Sequence, residues 1–144
     1  MPAVAGLGGQ RRVERLIVRT QHPKEWINIT VRVGDTVPHL GLVEGAVLIF
    51  SPHTTASITV NEAWDPAVAD DCLRALDDLL PDDWPSYLHA EGNSAAHLKT
   101  ALLGSSVLVP MVAGRLQLGR WQGIFLCEFD GPRDREVWVT AVRG

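Results

Sequence analysis

Three runs near the end of the chain, SVLVPM, GIFLCEF and EVWVTAV, restrict its fold more than any other feature. Each is short, apolar and bounded by glycine-bearing or charged stretches, the signature of a strand between turns. Four earlier runs belong to the same class: VERLIVRT (13–20), KEWINITVRV (24–33), AVLIF (46–50) and ASITV (56–60). Within 24–33, Ile27, Ile29, Val31 and Val33 alternate with Trp26, Asn28, Thr30 and Arg32, the period of a half-buried strand. Only a few residues separate that run from 13–20, which predicts an antiparallel hairpin. AVLIF is apolar throughout and suits a central strand covered on both faces.

Helical signals are fewer. Asp65-Pro66 can cap and start a helix, and Val68, Cys72, Leu76 and Leu79 then recur at helical spacing, predicting a helix over 66–80 that Pro81 ends. A polar loop follows to Asn93, carrying Trp84, Tyr87 and His89, and SAAHLKTALLG (94–104) predicts a second helix, capped by Ser94 and closed by Gly104. TVPHLGLVEG reads as a short helix or turn. The expected fold is α+β: antiparallel sheets in a sandwich- or barrel-like arrangement, with two or three helices packed outside. At 144 residues this is one domain, over 12–144, preceded by a flexible tail at 1–11.

A net charge of −4 without a basic stripe argues against a nucleic-acid partner. The absence of a long apolar run argues against a membrane one, and the N-terminus lacks the parts of a signal peptide, so a cytoplasmic protein is expected. Cys72 and Cys127 form no CxxC pair and are read as buried thiols without a disulfide.

Candidate chemistry centres on histidine. His22 and His39 fall beside prolines in turns and are expected to face solvent. His53 ends a strand, His89 sits in the aromatic loop, and His97 opens the second helix, the positions where such a fold gathers pocket residues. Their spacing leaves three readings open: a divalent-metal site, separate hydrogen bonds, or acid–base chemistry without metal. Glu62, Glu91 and Glu128 are candidate carboxylate partners, and Glu128 shares an apolar strand face with Ile124 and Leu126. Lys99, Arg115 and Arg120, with Ser105-Ser106 nearby, are a candidate anion site. No GxxxxGK[ST] loop or GxSxG elbow is present, and Cys127 in an apolar strand is a poor nucleophile.

Three stretches, SPHTTASITVNE, GNSAAHLKTALLGSS and GRLQLGRWQGIFLCEFDGPRDREVWV, together resemble the YjbQ-like family, whose members are labelled secondary thiamine-phosphate synthases. The resemblance runs from about residue 12 to the C-terminus. It implies an α+β homotrimer with its site near the subunit boundary. It further implies that His53, His89 and His97 hold a divalent ion, zinc-like, or else magnesium or manganese. Glu128 and Asn93 would be neighbours of that ion, and Lys99, Arg115 and Arg120 would bind phosphates. The labelled reaction joins a pyrimidine pyrophosphate to a thiazole phosphate. Magnesium held by carboxylates is the commoner ion for such chemistry, so a three-histidine set points to a side activity of the scaffold. Two alternatives are a metal-dependent hydrolase, with Glu128 or Glu62 as base, and a non-catalytic trimer that binds a small ligand. The chain departs from the common pattern at Ala63-Trp64 and at Arg120, and an inward-pointing Arg120 would add a cation to the site.

Overall fold

A computed structural model describes residues 12–143 of the chain; the expected tail at 1–11 lies outside the described residues. The strands are β1 (Val13–Arg19), β2 (Glu25–Asn28), β3 (Gly45–Phe50), β4 (Ala56–Glu62), β5 (Ser106–Val112), β6 (Arg115–Leu116), β7 (Gln122–Glu128) and β8 (Asp134–Val142). The helices are α1 (Thr30–Thr36), α2 (Pro66–Leu79) and α3 (Ser94–Leu103), with a short 3-10 turn at Val37–His39. All strand pairs are antiparallel, in a five-stranded sheet of order β1-β8-β3-β5-β6 and a three-stranded sheet of order β2-β7-β4. The α+β architecture with antiparallel sheets and three helices is the one the sequence predicts.

The main core lies between the two sheets. Val47, Ile49, Val109, Val137 and Val139 from the large sheet meet Ile58, Ile124 and Leu126 from the small one, all buried. A second cluster, Leu76, Ala96, Phe125, Cys127 and Phe129, fixes α2 and α3 to the other face of the small sheet. The layers are therefore sheet, sheet and helices. Among the described residues no layer covers the outer face of the large sheet: Val13, Thr140, Leu48 and Leu108 form one row across it, with Val13 53% and Leu108 60% exposed. This qualifies the prediction for AVLIF. β3 is central in its sheet, yet only its inner face, through Val47 and Ile49, is fully buried.

The expected hairpin of 13–20 with 24–33 does not form. β1 pairs with β8, β2 pairs with β7, and residues 20–24 cross from one sheet to the other. The second run also ends early, at Asn28. Asn28 Oδ1 accepts hydrogen bonds from the Thr30 N–H at 3.0 Å and the Thr30 hydroxyl at 2.6 Å, while Thr30 Oγ1 accepts the Ile124 N–H at 2.8 Å. These local bonds turn the chain into α1. Ile29, Val33 and Val37 are buried at fourfold spacing, while Val31 is 76% exposed. Ile29 and Val33 fit a strand, together with Ile27 and Val31, over a short window, and fit a helix once Val37 is included.

α2 starts as expected: the Asp65 carboxylate accepts the Ala67 N–H at 2.9 Å, with Pro66 in the first turn. Leu79 is exposed rather than buried, and Leu73 packs in its place. The cap of α3 lies one residue earlier than predicted: Ser94 is its first helical residue and Asn93 the cap position. Gly104, with φ 93°, closes it in a conformation that favours glycine.

Glu128 and Arg135 tie the two sheets together at one end of the core. Both are buried; Arg135 Nε donates to the Glu128 carboxylate at 2.9 and 3.1 Å, and its Nη2 donates to Thr55 Oγ1 at 2.8 Å. The Thr20 hydroxyl and the Phe129 and Asp130 amides also donate to Glu128. A pair satisfied this fully is compatible with burial, whereas removing one partner alone leaves an uncompensated charge at a cost of about 3–5 kcal/mol. Gly131 completes this corner. A Cβ there would fall 2.3 Å from the His22 carbonyl oxygen, so only glycine lets the 129–133 turn approach the 20–24 crossing.

Candidate active site

Where β3 runs out, Ser51 holds the chain: its hydroxyl donates to the Ala56 carbonyl at 2.8 Å, and His53 and Thr54 stand at the rim of the resulting turn. The first turn of α3 brings His97 to the same side. A turn in which the Gly92 N–H reaches the His89 carbonyl brings in His89. The fourth wall is the turn after β7, where the Arg133 guanidinium donates to the Asp130 carbonyl at 2.7 Å and to its carboxylate at 3.0 Å. Asn93 joins the two sides by donating from Nδ2 to Asp130 at 2.9 Å, and its Oδ1 is buried without a partner among the described residues.

These elements enclose an open cleft of about 420 Å³, lined by His53, His89 and His97 together with Thr54, Thr55, Glu91, Asn93, Asp130, Arg133 and Arg135. The three histidines singled out from sequence thus face one cleft. His89 and His97 stand edge to face with ring centroids 5.3 Å apart, and Glu91 lies 3.9 Å from His89 Nε2. An apolar hollow of about 510 Å³ adjoins the cleft, lined by Tyr87, Leu88 and Leu98, and shares His89 and His97 with it.

Burial holds the His53 pKa below its ordinary value, and the nearby Arg135 guanidinium pushes it the same way. The ring is therefore neutral near pH 7. Its Nε2 accepts the Glu136 backbone N–H at 2.9 Å. Cys127 is fully buried, which drives its thiol pKa well up and leaves it unreactive in the folded chain.

The other predicted residues lie elsewhere. The Lys99 side chain is 1% exposed and its ammonium pairs with Asp77, which also binds Lys24. Burial alone would raise the Asp77 carboxyl, but the two cations, Lys24 first, hold it below the usual range. Lys99 is thus a structural cation joining α3 to α2, for it has no ammonium free to meet a phosphate. Arg115 and Arg120 are exposed and do not line the cleft; Arg120 lies over the exposed Trp121 ring, which in turn meets Trp64. Glu128 is sealed in its pair with Arg135, and Glu62 borders a separate hollow beside Trp26 and Pro66. His22 and His39 are exposed, as expected.

Sequence reading missed Asp130 and Arg133, which supply the cleft's acidic and basic rim. Their signal was present in FDGPRDR, a charged turn that follows an apolar strand.

The imidazoles suit a zinc-like ion by their chemistry, but as placed they do not form a ready set of donors. Among the described residues no three His, Cys, Asp or Glu side chains are grouped to share a metal ion. The His53 lone pair at Nε2 is already engaged by Glu136.

The fold and cleft define a class: a small α+β sandwich with a histidine-lined pocket at one end of its core. The chain belongs to the UPF0047 protein YjbQ-like family, whose model matches residues 14–144. It is 45% identical to the UPF0047 protein YugU of Bacillus subtilis over 127 residues, covering 88% of this chain and 96% of that one. It is 41% identical to a UPF0047 protein of Methanocaldococcus jannaschii, covering 87% and 90%. Among solved structures, a YjbQ/UPF0047 family protein from Clostridium acetobutylicum superposes with a TM-score of 0.86 at 44% identity, covering 90% of this chain and 99% of that one. A conserved hypothetical protein from Thermus thermophilus gives 0.83 at 47% identity, covering 90% and 99%. No described helix is long and apolar enough to cross a membrane.

Proposed function

We propose that the histidine cleft is the active site of an enzyme acting on a small phosphorylated heteroaromatic, of the thiamine-phosphate synthase type. One observation carries the reading: a polar cleft with Arg133 and Asp130 on its rim and an apolar hollow meet at His89 and His97. Their volumes suit a small molecule. An anionic group fits beside Arg133 and the Thr54 hydroxyl, and an uncharged ring fits against Tyr87 and Leu98.

In the reaction of that type, the thiazole nitrogen's lone pair forms a C–N bond to the pyrimidine methylene carbon. The C–O bond to pyrophosphate breaks, and its electron pair leaves with the pyrophosphate. Negative charge builds on the departing group, so donors aimed at its oxygens lower the barrier. Arg133 and the cleft N–H and O–H groups are this chain's means of supplying them, while the His89–His97 pair separates the anion from the ring. No step is assigned to a metal ion, because the donor set does not fit one as placed. The hydrolase alternative is weaker, since neither Glu128 nor Glu62 lines the cleft.

A homotrimer belongs to the same proposal. The uncovered apolar row on the large sheet supports burial against further copies, because exposed patches of this kind mark interaction surfaces. The function is tested by incubating the protein with a pyrimidine pyrophosphate and a thiazole phosphate, with and without zinc, magnesium or manganese, and detecting thiamine phosphate by mass spectrometry. Product is expected, falling about a hundredfold in a folded His97→Ala variant, which loses the side chain that holds the two reacting groups in place. No product above background in any metal condition would reject the reading.

A further inference from the structure

We infer that His53 serves the cleft as a fixed hydrogen-bond donor to an anionic ligand, and not as a metal ligand. The pairing of β3 with β8 ends at Phe50 opposite Trp138, and continuing that register by two residues would set Pro52 opposite Glu136. Proline has no N–H with which to continue a ladder. The Glu136 amide donates to His53 Nε2 instead, at 2.9 Å. The ladder stops before the proline, and the Glu136 amide, left without a strand carbonyl to donate to, is taken up by the His53 ring.

That bond decides the tautomer. A ring nitrogen that accepts an N–H carries no proton, so the proton of the neutral imidazole is on Nδ1. Among the described residues the protein supplies no partner for Nδ1. Nor is Nδ1 among the buried atoms left unpartnered, so it is open to solvent. The ring lines the cleft beside Thr54 and Thr55, and Arg133 lines the same cleft. A metal ion needs a nitrogen lone pair. Nδ1 has none to give while it holds the proton, and Nε2 could give its own only by abandoning the Glu136 amide. A phosphate oxygen, by contrast, accepts Nδ1–H directly. The identity of the anion rests on the proposed function; the tautomer does not.

The test begins with wild-type protein labelled with 15N. Long-range 1H–15N correlation near pH 8 is expected to show His53 Nδ1 protonated and Nε2 bare. The opposite assignment would overturn the inference. Zinc titration is expected to leave both His53 nitrogens unshifted, and metal-type shifts at either would overturn it. Inorganic phosphate is expected to move the Nδ1–H signal and to bind roughly tenfold to a hundredfold more weakly to His53→Ala. His53→Gln, whose amide can accept from Glu136 and donate to the anion, is expected to restore most of that affinity. Phosphate binding equal to wild type in the alanine variant would remove the donor role. Failure of thiamine phosphate synthesis with these results intact would reject only the proposed reaction.

Discussion

At the scale of single residues, His53 shows how one side chain can serve structure and site together. Its position after an apolar strand was legible in SPHTTAS, but its hydrogen-bond partner lies 83 residues away on β8. The depressed pKa gives a signed expectation. Folding disfavours the protonated ring, so the unfolded chain takes up the proton first as pH falls. The contribution of the neutral ring is therefore complete above about pH 6.5, the ordinary histidine value, and is lost as pH drops from there toward the folded pKa. Denaturant midpoints measured between about pH 8 and pH 5 are expected to fall more steeply for wild type than for His53→Gln. Parallel curves would show that His53 titrates alike in both states. Lys99 shows the reverse limit. A lysine shortly before a Gly-Ser-Ser turn looked like a phosphate ligand, and only the approach of Asp77 from α2 made it a buried structural cation.

At the scale of elements, signals that act over a few residues were the reliable ones. Asp65-Pro66 encodes a cap and a first turn within a few positions, and the helix begins there. Asp65→Ala is expected to remove about 1 kcal/mol of stability, lowering the melting temperature by roughly 3–5 °C in a domain of this size. An unchanged melting curve would show that α2 is held by its packing on the small sheet alone. Residues 29–33 are the counterexample. Three apolar residues two apart are compatible with a strand or a helix, and the Asn28–Thr30 side-chain bonds selected the helix. Such competition between side-chain and ladder bonds leaves no trace in hydrophobic period.

For the whole molecule, strand partnership was the property least visible in advance. β1 and β2 are close in sequence yet lie in different sheets, because each pairs with a strand from the C-terminal third. Their side chains then meet in the core between those sheets, and the same crossing carries the 20–24 segment past Gly131 to shape the cleft corner. The uncovered large-sheet face supplies the prediction at this scale. Leu108→Lys is expected to leave the fold intact, since the side chain is 60% exposed, while converting the proposed trimer to monomers in sedimentation. A trimer that persists with lysine at that position would place the subunit contact on another face.

Strand-forming runs, the α2 start, the class of fold and the three chemically distinctive histidines all followed from the amino-acid order, because each depends on local pattern or residue type. Tertiary structure alone decided which strands pair, which cations are buried, and that His53, His89 and His97 share a cleft with Asp130 and Arg133. Those outcomes depend on contacts between distant segments, where burial and hydrogen-bond satisfaction over the whole chain select one arrangement from many that satisfy the same local pattern.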